Sequence, residues 1–276
     1  MEAHFRSARV LVAGLGLIGG SVAKALRLAG IERIDGLDTD AATLAAAQAQ
    51  GVISGGFQNS FSYDLVICSL APSMVPALYE QVRGSLKAGG VFSELSGLKT
   101  DIARVLVSAL AHGHELLCLH PMAGSEKSGY AYSDAELFYG ATLILTPTVR
   151  TGQAAFAWAE ILRDALGCDD MPTLDADAHD RIVADMSHLP HIAALAVRAV
   201  GKDTEAFAGG SYRSVTRVAD INAPLWAGLL TDNAEYLLES IGKLRARLDA
   251  LEAAVQARDA AALEQLLRDI SLREDT

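Results

Sequence analysis

Positive charge, cysteine and long uncharged apolar runs are all scarce in this chain. Lysine and arginine together number 23 against 34 aspartates and glutamates, a formal net charge of -11. Nucleic acids are held by clustered Lys and Arg, so that balance argues against nucleic-acid binding as the main task. It is compatible with an enzyme that has a locally basic pocket. Cys68, Cys118 and Cys168 are far apart and have no CxxC spacing. Cys68 and Cys118 sit within apolar runs and read as buried free thiols. No uncharged apolar run reaches the ~20 residues of a membrane span. No apolar h-region precedes the first strand, so no signal peptide is expected and the chain reads as cytoplasmic. No internal repeat or low-complexity linker is apparent. At 276 residues, 51% hydrophobic and 21% charged, the composition is that of a globular protein long enough for two domains.

The first module is βα alternation. Val10-Leu11-Val12-Ala13 reads as a strand, Gly14-Leu15-Gly16-Leu17-Ile18-Gly19-Gly20 as a glycine loop, and Ser21 to Arg27 as the start of a helix. Strand, GxGxxG and helix in that order make a dinucleotide site. Gly14 allows the tight turn, Gly16 lets the backbone approach a pyrophosphate, and Gly19 lets helix and strand pack closely. The pyrophosphate is expected at the helix N-terminus, where free N–H groups and the dipole favour negative charge. A second strand, Arg33 to Asp38, ends in an acid, 19 residues beyond Gly19 and close to the spacing of a ribose-binding acid. Thr39 and Asp40 follow it, with no arginine, so NAD is expected rather than NADP. Further strands are expected at Asp64–Leu70, Val91–Leu95, Glu115–Leu119 and Ala141–Leu145. Helices are expected at 43–50, 74–86 (closed by Gly89-Gly90), 99–112 and 156–166, and a short strand near Met171. The fold class is therefore α/β, a doubly wound parallel sheet over residues 1–172. The cofactor set expected is Gly14, Gly16, Leu17, Ile18, Gly19, Asp38, and Leu70 and Ala71 at a strand end.

Residues 173–276 lose the strand pattern. A helix from His179 to Val200, kinked at Pro190, is expected, then others at 235–257 and 260–271. Leu237, Leu238, Ile241, Leu244, Leu248, Leu251 and Val255 recur at helical spacing. Such an apolar face in an all-helical module implies a homodimer.

Three clusters carry chemistry. The buried strand Glu115–Leu119 stops at His120-Pro121, because proline removes a ladder donor. The exit loop from His120 to Gly129 then holds two glycines, Glu126 and Lys127. A titratable group at the C-terminal end of a strand lies where open α/β sheets bind ligands. Read alone, it is equally a strand-ending histidine in a polar turn. His179-Asp180 opens the second module, and His188 and His191 lie three apart, able to face one way on a helix. A zinc site would need further ligands, and none is obvious, so no metal is expected. Gly209 to Arg217, with Trp226 nearby, places two arginines beside a glycine turn. That suits an anion with an apolar body, since Arg offers a planar fork to carboxylate.

Taken in order, Gly14 to Gly20, His120 to Gly129, Leu137-Phe138-Tyr139-Gly140, His179-Asp180, Ser187 to His191, Thr216-Arg217 and Trp226 resemble the prephenate/arogenate (cyclohexadienyl) dehydrogenase family of tyrosine biosynthesis. The resemblance covers essentially the whole chain. It implies a nucleotide-binding domain, a helical domain that builds a dimer, and NAD(P)-dependent oxidative decarboxylation of a cyclohexadienyl acid. It implies His120 as the catalytic base toward the C4 hydroxyl and Arg217 as the substrate-carboxylate arginine. His191 is implied near the substrate side chain, Glu126 as a gating carboxylate, and Gly210 and Trp226 as pocket walls. The family's serine two residues before the strand-end lysine is replaced here by Gly97. That leaves Ser96, Ser93 or a water to serve His120, and Ser96, one residue before Gly97, is expected to do so. The acid that some members carry three residues before the arginine is Ser214. The other readings are a β-hydroxyacid-type dehydrogenase, which relies on a lysine of the helical domain, and a non-catalytic nucleotide sensor.

Overall fold

The structure, a computed structural model, describes residues 6–125 and 127–271. Contacts divide the chain into two units, one running to Val183 with Asp220–Leu229, the other comprising Ala184–Ala219 and the chain from Leu230.

In the first unit the elements run β1 (Arg9–Ala13), α1 (Leu17–Leu28), β2 (Arg33–Leu37), α2 (Ala41–Ala49), β3 (Gly55–Gly56), β4 (Tyr63–Cys68), α3 (Val75–Val82), β5 (Leu86–Glu94), α4 (Thr100–Ala109), β6 (Glu115–Pro121), β7 (Leu143–Thr146), α5 (Gln153–Leu166) and α6 (Ala176–Val183). The strands form one sheet in the order β3-β2-β1-β4-β5-β6-β7. Alternate residues feed opposite layers. Val10, Val12 and Leu119 pack with Leu26 and Trp158 on one face, and Leu11, Val66, Phe92 and Cys118 with Tyr79 and Leu106 on the other. Burial on both faces explains why these strands read as continuous apolar runs. The strand order reverses between β1 and β4, and at such a switch point the strand ends open a crevice.

Three expectations need correction. The sheet is not wholly parallel, because β7 runs antiparallel to β6, pairing His120 with Ile144. A parallel return needs a crossover, usually helical. Among the described residues between Pro121 and Leu143 the only helical element is a 3-10 turn at Tyr130–Tyr132, so the chain folds straight back. Second, Gly89-Gly90 does not close a helix. The helix ends earlier, and Gly89, with φ 76°, lies inside β5, where the pairing with β4 slips. Near Met171 the chain makes isolated bridges, Thr142 to Asp170 and Leu145 to Thr173, in place of a strand.

The second unit opens on a π-helical segment, Ala184–His188, followed by α7 (Leu189–Gly201), α8 (Gly210–Thr216), and later α10 (Ala234–Ala257) and α11 (Ala260–Ser271). Between them, α9 (Ala223–Asp232) lies largely with the first unit. The π segment is where the kink at Pro190 was expected. Proline cannot bond the carbonyl four residues back, and the widened turn relieves that clash.

Candidate active site

The glycine loop has the geometry its spacing predicts. Gly14 has φ 83°, and a Cβ there would lie 2.5 Å from Ser69 O and 2.7 Å from Leu70 Cδ2. The β1 turn therefore packs directly on the end of β4, which brings Gly14 and Leu70 together. A Cβ at Gly19 would sit 1.9 Å from Gly14 O, so only glycine lets α1 start this close to β1. At Gly16 a Cβ would meet nothing within 4 Å. That is the open approach a pyrophosphate needs, at the start of a helix that no side chain caps. Leu17 and Ile18, half-buried, form its first turn, and Ala71 follows Leu70 at the β4 end. Asp38 follows β2. Its carboxylate accepts Leu15 N–H at 2.7 Å and Asp40 N–H at 2.9 Å, which pins it beside the loop. These residues fit a dinucleotide.

His120, half-buried, stands near the end of β6. Its Nδ1 lies 2.9 Å from His179 Nε2, and His179 Nδ1 lies 2.7 Å from Asp180 Oδ1. His179 is wholly buried and Asp180 nearly so. The Asp180 carboxylate also accepts the N–H groups of Lys99 at 2.8 Å and Thr100 at 2.9 Å, capping the start of α4 from 80 residues away. Burial pushes the Asp180 carboxyl up. The bond from His179 and those from Thr100 and Lys99 outweigh it and hold the carboxyl below its ordinary range.

Beneath this row lies a buried ion pair that sequence reasoning missed. Lys99 Nζ is 2.6 Å from Glu94 Oε1, and both side chains are fully buried. The ammonium also donates to Ser96 O at 2.7 Å and Leu119 O at 2.8 Å, so all three of its protons are used. The other Glu94 oxygen accepts Ser96 N–H at 2.9 Å and the Ser96 hydroxyl. The loop after β5 is thus tied to the residue just before His120. Only a Glu and a Lys five apart at a strand end could have hinted at it.

Ser96 is therefore engaged with Glu94 and with Leu98 O, at 3.0 Å from the latter. The loop residue facing the His120 ring is Gly97. A Cβ at that position would lie 3.9 Å from His120 Nε2 and 3.8 Å from Leu229 Cδ2. Ser93, fully buried, makes no side-chain hydrogen bond. Trp226 is half-buried on α9, in the same unit as His120. Glu126 lies outside the described residues.

In the second unit, His191 Nδ1 donates to Ser187 O at 2.7 Å, while His188 is buried with its Nδ1 3.3 Å from Asn233 Nδ2. Arg217 follows α8 and is exposed, as is Gly210 at the helix start. The Arg198 guanidinium, from α7, donates to Thr216 O at 3.0 Å and fixes the backbone just before Arg217. The three cysteines are free and buried. Burial pushes the Cys68 thiol up to about 12, Cys168 to about 11 and Cys118 well above its ordinary value, so none is a ready nucleophile.

A parallel-dominated sheet with a glycine loop at its switch point, and a histidine backed by a second histidine and a carboxylate at another strand end of the same sheet, define a nucleotide-dependent dehydrogenase. Comparison with known proteins narrows the class. Residues 22–167 match the model of the prephenate dehydrogenase nucleotide-binding domain, and residues 175–269 that of the prephenate dehydrogenase dimerization domain. The chain belongs to the prephenate dehydrogenase family. It is 29% identical to a prephenate dehydrogenase of Lactococcus lactis subsp. cremoris over 95% of this chain and 75% of that protein. It is 26% identical to a cyclohexadienyl dehydrogenase of Zymomonas mobilis over 91% of this chain and 89% of that protein. The solved prephenate dehydrogenase of A. aeolicus, in complex with hydroxyphenyl propionate and NAD+, superposes with a TM-score of 0.87 at 25% identity, covering 95% of this chain and 96% of that one.

Proposed function

We propose that the chain oxidises prephenate or arogenate with NAD and releases CO₂, yielding 4-hydroxyphenylpyruvate or tyrosine. The observation that carries this is His120 at a strand end of the nucleotide-binding unit, with one ring nitrogen committed to His179. NAD bound at the glycine loop would supply the acceptor for the hydride of ring C4. His120 accepts the C4 hydroxyl proton, general-base chemistry worth typically ~10²–10⁴-fold. The ring carboxylate departs as CO₂ and its electron pair completes the aromatic ring, so no metal is needed to hold a carbanion. Gly14, Gly16, Leu17, Ile18 and Gly19 hold the pyrophosphate, Asp38 the ribose, and Leu70 and Ala71 line the cofactor side. Arg217 binds a substrate carboxylate, His191 stands by the side chain, Gly210 and Trp226 form walls, and Glu126 gates. Ser96 steadies the loop below His120. The enzyme works as a homodimer through the dimerization-domain residues, and its place is the cytoplasm.

The test is turnover of prephenate and arogenate side by side, followed as reduced nicotinamide absorbance. His120→Asn keeps size and a donor but removes the acceptor. It is expected to lower kcat by ~10²–10⁴ while NAD affinity holds. Near-normal kcat in that variant, or no turnover of either acid by the wild type, rules the reading out.

A further inference from the structure

Asp180 is an acceptor through both oxygens, Oδ1 toward Lys99 N–H and Oδ2 toward Thr100 N–H. His179 Nδ1 faces Oδ1 at 2.7 Å, so that nitrogen carries a hydrogen. A neutral imidazole has one N–H, which makes His179 Nε2 a bare acceptor. It lies 2.9 Å from His120 Nδ1, which must then be the donor. A neutral His120 protonated on Nδ1 keeps its lone pair on Nε2, the nitrogen on the Gly97 side of the ring. The carboxylate at the start of α4 thus dictates the tautomer of a histidine two bonds away.

We propose that His179 and Asp180 are positioning residues that make His120 Nε2 the proton acceptor and share the charge that forms on His120. This rests on the reading of His120 as the base. The hydroxyl proton binds Nε2 while Nδ1–H keeps its bond to His179. The new imidazolium charge is stabilised through His179 by the Asp180 carboxylate, and no proton leaves the row in that step. The two N–H groups at the α4 start hold Asp180 ionised by satisfying its oxygens, and the helix dipole acts in the same direction. Full burial of His179 keeps water from supplying a competing donor.

Two side-chain replacements separate positioning from packing. His179→Asn keeps a donor near Asp180 but has no atom at the Nε2 position. His179→Gln reaches that position with an amide oxygen that can accept from His120. The expectation is that His179→Asn lowers kcat by ~10- to 100-fold, part of what the base contributes, with KM and NAD affinity held, and that His179→Gln recovers much of it. Asn within twofold of wild type, or Gln no better than Asn, overturns the proposal. A second measurement needs no His179 variant. ¹⁵N spectra of histidine-labelled wild-type protein, with His120 assigned by its absence from His120→Asn, report which nitrogen is protonated. Nδ1–H with a bare Nε2 is expected, and a protonated Nε2 in the neutral ring overturns the relay. Turnover that survives in His120→Asn would instead strike the reading of His120 as the base, so the two failures are distinct.

Discussion

At the scale of single residues, the proposed function gives two side chains the task of choosing ligands. Asp38 is fixed by its bonds to Leu15 and Asp40 N–H, and in its proposed ribose-binding role that carboxylate would repel an NADP 2′-phosphate. A preference for NAD of at least tenfold in kcat/KM is expected, which needs only ~1.4 kcal/mol. Comparable kcat/KM for NAD and NADP would refute it. Arg217 is the second. In a chain of net charge -11, a substrate with two carboxylates needs at least one guanidinium fork. Truncating one member of a desolvated charge pair costs ~2–5 kcal/mol. Arg217 is exposed in the single chain, so the low end applies. Arg217→Ala should raise KM by ~30-fold, change kcat less and leave NAD affinity alone. Arg213, also exposed but given no carboxylate role, is the control. Equal KM changes in Arg213→Ala and Arg217→Ala would move the substrate site elsewhere.

At the scale of elements, the site depends on how the β5 and β6 ends are tied. Lys99→Met would strand the Glu94 carboxylate in the core, and removing one partner of a buried pair costs ~3–5 kcal/mol. A large fall in melting temperature is expected. The Glu94→Gln/Lys99→Met double variant, which buries no charge, should be less destabilised than the single one. A single variant that melts with the wild type would show that the pair is not held as described. The cap on α4 has its own pH signature. The folded Asp180 carboxyl titrates below its ordinary 3.8. Its contribution is therefore fully present above that value and is lost as pH falls through the lower, folded one. A melting-temperature profile of Asp180→Asn should accordingly be flatter than wild type below about pH 4, and parallel profiles would remove Asp180 from the acid limb.

At the scale of the whole molecule, the long helix α10 leaves part of its apolar stripe exposed in one chain. Leu238 is 67% exposed, Leu248 54% and Val255 60%, with Leu237 buried. Exposed apolar residues in a row on a dimerization-domain match call for a second copy. Light scattering after size exclusion should give twice the 29.0 kDa chain mass at micromolar concentration, and a monomer there would count against the dimer.

Much of this was legible in order along the chain because it is local. The glycine loop, its strand and its helix are neighbours in sequence, and steric rules at Gly14 and Gly19 act over a few residues. Doubly buried strands announce themselves as apolar runs, and α10 by its spacing. His120 could be singled out as a titratable group at the end of an apolar run, but the proline after it does not stop the strand, because β6 runs on through Pro121 and pairs it with Leu143. What only the tertiary structure decided are pairings across long sequence gaps. The reversal of β7 depended on whether a crossover helix formed, which composition leaves open. Ser96 looked available to His120 by position, yet it turns to Glu94 because a buried carboxylate must be satisfied. His179 and Asp180 stood out as a dipeptide, but nothing in their spacing says that Asp180 caps a helix 80 residues earlier or that His179 meets His120. Those bonds exist because buried donors and acceptors must find partners wherever the fold brings them, and that is a property of the packed chain.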